Sequence, residues 1–172
     1  MKYQEPVSKE VAQSSMCLWL QSSRFYDHKI CAAVVSLLAT GTGFWATPYM
    51  GLATLSYGFM NIGLMNLRNR DVHVRYMNAA IVLDLALVLA LEFQRDAIQT
   101  ALSFSLSPLQ QAHIAMSAVA TTLYIPILIL GWRLYLGKLS SSGRSWHRRL
   151  GMMGYVFRSL GFLLMFSLLL RK

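Results

Sequence analysis

Five long apolar stretches, separated by short polar or basic segments, constrain this chain more than any other feature. They cover Ile30 to about Thr47, about Met50 to Leu67, Tyr76–Phe93, about Leu109 to Leu134 and Leu150–Leu170. A helix needs roughly 20 apolar residues to cross a bilayer core about 30 Å thick. Transmembrane strands would instead alternate apolar and polar residues in segments of about ten. The pattern therefore predicts an all-α, polytopic membrane bundle with five transmembrane helices.

The composition supports the same class of protein. Of the 172 residues, 55% are hydrophobic and 13% are charged, whereas a soluble domain carries about a quarter charged residues. We expect one five-helix transmembrane domain over residues 30–172, preceded by a polar segment over residues 1–29. The apolar patch around Trp19 favours an interfacial helix in that segment, with a flexible tail as the alternative. The two cysteines form no disulfide framework or zinc motif.

The basic residues predict how the bundle is oriented in a membrane. With the N-terminus in the cytoplasm, twelve Lys and Arg residues lie on the inner side and three on the outer side. The inner twelve are Lys2, Lys9, Arg24, Lys29, Arg68, Arg70, Arg75, Arg133, Lys138, Arg144, Arg148 and Arg149; the outer three are Arg95, Arg171 and Lys172. Such a bias is typical of cytoplasmic loops. We therefore predict a multi-pass protein of the cytoplasmic (inner) membrane whose partners are lipid and other membrane subunits, not nucleic acid.

Two charged residues lie well inside the predicted spans, where charge is costly. Asp84 follows Arg75 by nine residues in the third span, and Arg158 follows Arg149 by nine in the fifth. Both spans run from the inner to the outer side, so the two charges should lie at the same depth. A charge inside a membrane normally faces a partner or a cavity. We predict a structural ion pair between Asp84 and Arg158.

The same two spans begin with similar residues. His73 precedes Asp84 by eleven residues and His147 precedes Arg158 by eleven, so each histidine returns to nearly the same helix face as its charge. Two facing imidazoles suit haem b as axial ligands, or copper with the thioethers of Met77 and Met152 as further ligands.

The alternative for these histidines is hydrogen bonding to lipid headgroups, to backbone carbonyls or to each other. For a haem, Arg158, Arg75 or Arg149 would neutralise the propionates. His113 is a further candidate ligand near the outer side, where we expect it to contact Glu92.

The chain lacks the motifs of the common catalytic sites: it has no glycine-rich phosphate loop, nucleophile elbow, CxxC or HExxH. We therefore do not expect an enzyme.

Three segments resemble a known family. RNRD followed by HVRYMNAA, then AHIAMSAVATTLYIPILILGWRL and HRRLGMMGYVFRSLGF, are similar to the CtaM-like membrane proteins, also catalogued as domain of unknown function 420. The resemblance covers about Gly51 to Leu170 and includes the order of His73, His113 and His147. It implies a small inner-membrane protein linked to cytochrome oxidase maturation that handles haem or copper. Near the end of the third helix the family often has Tyr or His, where this chain has Glu92 and Arg95.

These observations lead to one preferred function and two alternatives. The preferred function is an accessory protein for respiratory cytochrome oxidase assembly that binds haem or copper through His73 and His147. The first alternative is a b-type haem or quinone-linked electron-transfer subunit of a larger complex. The second is a structural subunit whose histidines and ion pair only pack helices.

Overall fold

The computed structural model describes residues 28–103 and 105–166, and the regular structure within them is helical. Within the described residues, helix α1 covers residues 28–45. It is followed by α2 (Pro48–Met65), α3 (Arg70–Arg95), α4 (Ala97–Leu102), α5 (Pro108–Tyr135) and α6 (Ser141–Met165). The all-α prediction is therefore confirmed. The proposed interfacial helix near Trp19, and the last residues of the fifth predicted span, lie outside the described residues.

The polar segments between helices supply caps for the helix that follows. Thr47, Asn69 and Ser140 each accept a side-chain hydrogen bond from the backbone N–H three residues later, at 3.2, 3.3 and 3.3 Å respectively. Such caps satisfy amide groups that have no partner within the helix. Pro48 and Pro108 occupy the first turns of α2 and α5, where proline costs no helical hydrogen bond. The short connections thus both end one helix and begin the next.

The long helices form two hairpins that pack side by side. Helix α2 pairs with α3 and helix α5 pairs with α6, while α2 meets α6 and α3 meets α5 where the hairpins adjoin. Helix α1 lies against α2 at glycine positions: a Cβ on Gly58 would be 2.1 Å from Val35, and one on Gly51 would be 2.6 Å from the Ala39 carbonyl oxygen. Small residues allow this close backbone approach. The core therefore consists of α2, α3, α5 and α6, with α1 packed against α2.

An arginine contact brings the two hairpin loops to the same end of the bundle. The Arg70 guanidinium, at the start of α3, donates to the Leu134 carbonyl at the end of α5 at 2.6 Å, and also to the Tyr135 carbonyl. It also lies 4.6 Å from the centroid of the Tyr135 ring. Cations near a helix C-terminus stabilise its unpaired carbonyl groups. The loop before α3 and the loop after α5 are thereby adjacent.

The buried interior is small, and many large apolar side chains face outward. One core cluster contains Met60, Ala80, Ile81 and Tyr124, and the second contains Met50, Ala53 and Met165. On α3 and α5 the exposed side chains include Val82, Leu89, Ile125 and Ile129. Two helices, over Arg70–Gln94 and Pro108–Tyr135, are long and apolar enough to cross a membrane. The other predicted spans are also helical, but within the described residues they do not combine the same length and apolarity.

Candidate functional site

The centre of the bundle holds an ion pair between the two hairpins. Arg158 on α6 donates from Nη2 to Oδ1 of Asp84 and from Nε to Oδ2, each at 2.7 Å. Both residues are buried, with exposed fractions of 5% for Asp84 and 6% for Arg158. A bidentate arginine–carboxylate pair is both strong and directional. The ion pair expected from the sequence is therefore present.

Two hydroxyl groups complete the coordination of the carboxylate. Ser56 on α2 donates to Oδ1 of Asp84 at 2.6 Å, and Tyr124 on α5 donates to Oδ2 at 2.6 Å. Each carboxylate oxygen thus accepts two hydrogen bonds. Ser56, Asp84, Tyr124 and Arg158 form the Asp84 cluster, to which all four core helices contribute one residue.

The Asp84 cluster restricts what Arg158 is free to do. Two of its guanidinium nitrogens bind Asp84, and Nη2 also lies 3.5 Å from the Ala53 carbonyl oxygen. The side chain is therefore committed to the interior of the bundle. This arrangement corresponds to the structural role predicted for Arg158, and it leaves the guanidinium turned toward Asp84 instead of a cofactor propionate.

A second polar contact joins α2 and α6 beside this cluster. Tyr57 donates to the Ser159 hydroxyl at 3.0 Å, and Tyr155 donates to Oδ1 of Asn61 at 2.8 Å. The Tyr57 ring also stacks on Phe162 with 4.3 Å between centroids. These contacts fix the relative register of the two helices.

His73 lies in the first turn of α3, and its hydrogen bond defines its tautomer. Its Nδ1 is 2.9 Å from the carbonyl oxygen of Gly63 on α2. A carbonyl oxygen can only accept, so Nδ1 carries the proton in the neutral ring and Nε2 keeps its lone pair. Orientation of a histidine through one nitrogen, with the other left as a ligand, is the usual arrangement at metal sites.

His147 lies near the start of α6 and packs against Gly131 of α5. A Cβ on Gly131 would be 3.1 Å from Cε1 of His147, so the ring occupies space that only glycine leaves free. Nδ1 of His147 is buried and no hydrogen bond of acceptable geometry reaches it. Burial lowers the pKa of His147, and the charge of His73 lowers it further, while the Ile127 carbonyl acts in the opposite direction. Both rings therefore lie at the same end of the bundle, His73 against Gly63 of α2 and His147 against Gly131 of α5.

The two methionines proposed as further ligands are placed differently. Met77 packs inside the bundle, since a Cβ on Gly63 would be 2.9 Å from its sulfur. The thioether and His73 thus both contact Gly63. Met152, however, is 62% exposed, so the prediction that it turns inward is wrong. It follows His147 by five residues, which rotates it about 140° around the helix axis.

His113 and Glu92 do not contact each other. Nδ1 of His113 is 2.7 Å from the Gly161 carbonyl oxygen of α6. Glu92 accepts instead from the backbone N–H of Ile98 at 2.8 Å, in the first turn of α4. A carboxylate is stabilised by the free amide groups of a helix N-terminus. The expected outer-side contact is thus replaced by a helix–helix bond and a helix cap.

The ligand set around His73 and His147 is small. Within residues 28–103 and 105–166, no group of three or more histidine, cysteine or carboxylate side chains is arranged to hold a metal ion. The predicted donors that the structure keeps at this end of the bundle are the two imidazoles and the Met77 thioether. Such donors suit a soft ion such as Cu(I) better than a hard ion.

Comparison with known proteins adds no family assignment: no family model, curated protein or solved structure matches this chain. The resemblance to the CtaM-like proteins therefore stays a prediction.

Proposed function

We propose that this chain is a multi-pass protein of the cytoplasmic membrane with five spanning helices and a cytoplasmic N-terminus. The separation of charge in the folded chain supports this arrangement. The exposed basic residues Arg68, Arg75, Arg133, Lys138, Arg144, Arg148 and Arg149 lie in or beside the two adjacent hairpin loops, whereas Glu92 and Asp96 lie near the opposite end. Cytoplasmic loops are enriched in Lys and Arg. The apolar side chains that face outward would contact lipid.

Within that membrane, we propose a role as an accessory protein in respiratory cytochrome oxidase assembly, with copper held by His73 and His147. The observation that carries this proposal is the placement of both imidazoles at one end of the bundle: His73 is oriented through Nδ1 by the Gly63 carbonyl, and within the described residues no hydrogen bond reaches the buried Nδ1 of His147. Neutral imidazole nitrogens are common copper ligands.

Copper fits these residues better than haem b. Arg158, one of the residues expected to neutralise haem propionates, is bound to Asp84 instead, and the Met77 thioether lies at Gly63 beside His73 as a further soft donor. A bound copper ion would be cargo for the oxidase. The contribution of this chain is to orient His73 through Gly63, to hold His147 against Gly131, and to keep Met77 packed beside them.

Metal analysis and an optical spectrum of the purified full chain test this proposal. We expect copper in the wild-type protein, loss of copper in His73→Ala and His147→Ala, and retention in the matched control His113→Ala. A Soret band that shifts on reduction would support the electron-transfer alternative. Absence of both copper and haem would leave the structural subunit, which the fully bonded Asp84 cluster also favours.

A cellular test addresses the role in assembly. Deleting the gene should lower the amount of assembled cytochrome oxidase, and His113→Ala should restore it where His73→Ala does not. Equal rescue by both variants would contradict a role for the histidine pair.

A further inference from the structure

The corner where α5 meets α6 carries four exposed cations that form no ion pair with any residue that the structure describes. Arg133, Lys138, Arg144 and Arg148 are all exposed there. Within residues 28–103 and 105–166, the ion pair formed is the one between Arg158 and Asp84, and none of these four side chains takes part in it. Asp71 is the exposed acid at the same end of the described chain. Within the described residues, these four cations are therefore open to solvent and to anions from outside the protein.

The corner combines arginines on one helix face with exposed tryptophan rings. Arg144 and Arg148 are four residues apart, so they lie one turn apart on the same face of α6. Trp132 and Trp146 are 60% and 55% exposed and lie beside these cations in the sequence. Exposed tryptophan rings mark the membrane interface, and the planar guanidinium group binds phosphate oxygens through paired hydrogen bonds.

We propose that the α5–α6 corner, defined by Arg133, Lys138, Arg144 and Arg148, binds anionic phospholipids of the cytoplasmic leaflet in preference to zwitterionic ones. This inference rests on the membrane arrangement proposed above and does not depend on a metal at His73 and His147. An acidic protein would offer the same charge, but the tryptophans on both helices favour a partner that combines phosphate with an adjoining apolar phase. The headgroup phosphates would pair with the arginines while the acyl chains contact the exposed apolar side chains of α5 and α6.

Tryptophan quenching by brominated lipids tests this proposal with the full chain. Phe replaces Trp19 and Trp45, so that Trp132 and Trp146 report on the corner. The protein is reconstituted in phosphatidylcholine vesicles with equal amounts of either brominated phosphatidylglycerol or brominated phosphatidylcholine. Since cations near a membrane surface attract anionic lipid, we expect brominated phosphatidylglycerol to quench at least about twofold more strongly, and added salt to reduce the difference.

Two variants of equal charge locate the effect. The preference for phosphatidylglycerol over phosphatidylcholine should be mostly lost in the double variant Arg144→Gln with Arg148→Gln. It should be mostly retained in the double variant Arg68→Gln with Arg75→Gln. A reporter that keeps Trp45 alone should show no preference. Equal quenching by both lipids, or equal loss in both double variants, would overturn the lipid site. Absence of quenching by either lipid would instead show that the chain does not insert, and would refute the membrane proposal itself.

Discussion

Replacing Arg158 by methionine tests whether the Asp84 cluster holds the two hairpins together. The substitution removes both 2.7 Å hydrogen bonds to Asp84 and leaves the carboxylate with the Ser56 and Tyr124 hydroxyls. Removing one partner of a buried ion pair costs about 3–5 kcal/mol, because the remaining charge is buried and unpaired. We expect Arg158→Met and Asp84→Leu each to lower the free energy of unfolding by that amount.

A variant that replaces both Asp84 and Arg158 should lose less unfolding free energy than either single variant. Replacing a whole buried pair by apolar residues of similar volume is often close to neutral. In Asp84→Leu with Arg158→Met, the Tyr124 hydroxyl loses its acceptor, which costs about 1–3 kcal/mol. Adding Tyr124→Phe removes that unmatched group, so the triple variant should approach the stability of the wild-type protein.

Unfolding in mixed micelles, followed by tryptophan fluorescence as the fraction of denaturing detergent rises, measures these differences. Arg149→Met is the matched control, because Arg149 is an exposed arginine on the same helix; its effect should stay within about 0.5 kcal/mol. The reasoning is refuted if Arg158→Met costs no more than Arg149→Met. It is also refuted if the double variant loses as much stability as either single variant.

Three further predictions concern the histidine pair and the orientation. Gly131→Ala should lower copper retention, because its Cβ would lie 3.1 Å from the His147 ring. Gly151→Ala should bind copper as the wild type does, because its Cβ would meet no atom within 4 Å. Equal copper retention in the two variants would contradict the proposed packing of His147 against Gly131. The lowered pKa of His147 means that the folded state binds fewer protons than the unfolded one, so the free energy of unfolding should fall as the pH drops below about 6.5. Detergent titrations at about pH 7.5 and 5.5 measure this decrease in the free energy of unfolding, and His147→Gln should make it smaller. An unchanged decrease would show that other groups cause it. A cysteine at Ser141 should react with an impermeant label only from the cytoplasmic side, and reaction from the outside would reverse the predicted orientation.

The central ion pair could be predicted because it depends only on helix register. Asp84 and Arg158 each follow a basic residue at the helix entrance by nine positions. Helices that run in the same direction bring equal numbers of residues to equal depth. That argument needs no knowledge of which helices are neighbours, since the cost of an unpaired charge selects the pairing.

Met152 differs from Met77 in its spacing from the histidine at the start of its helix. Met77 follows His73 by four residues and stays within about 40° of its face, whereas Met152 follows His147 by five and rotates about 140°. The shared sequence pattern predicts that both thioethers lie beside their histidines. The spacing between His147 and Met152 is one residue longer, however, and this turns the Met152 thioether to the outside of the bundle. The position equivalent to Met77 on α6 is Gly151, which offers no ligand.

The hydroxyl groups of the Asp84 cluster left no distinctive signal in the sequence. Thr54 and Thr121 also lie within predicted spans, yet their hydroxyls bond to carbonyls four residues earlier in their own helices. Ser56 and Tyr124 differ only in facing Asp84, which depends on how α2 and α5 rotate about their axes. Sequence spacing within one helix does not determine that rotation.

The distribution of the Asp84 cluster has a consequence for how the protein is made. Asp84 belongs to the hairpin that is synthesised first and Arg158 to the one that follows. In the membrane arrangement proposed above, each hairpin would be inserted with a charge that lacks its ion-pair partner, at a cost of about 2.5–3.5 kcal/mol. The penalty ends only when both hairpins are present and docked. A truncated or incompletely inserted chain keeps an exposed charge within the membrane, which distinguishes it from the finished molecule. In that arrangement the ion pair would form only in a chain whose two hairpins are both inserted and docked.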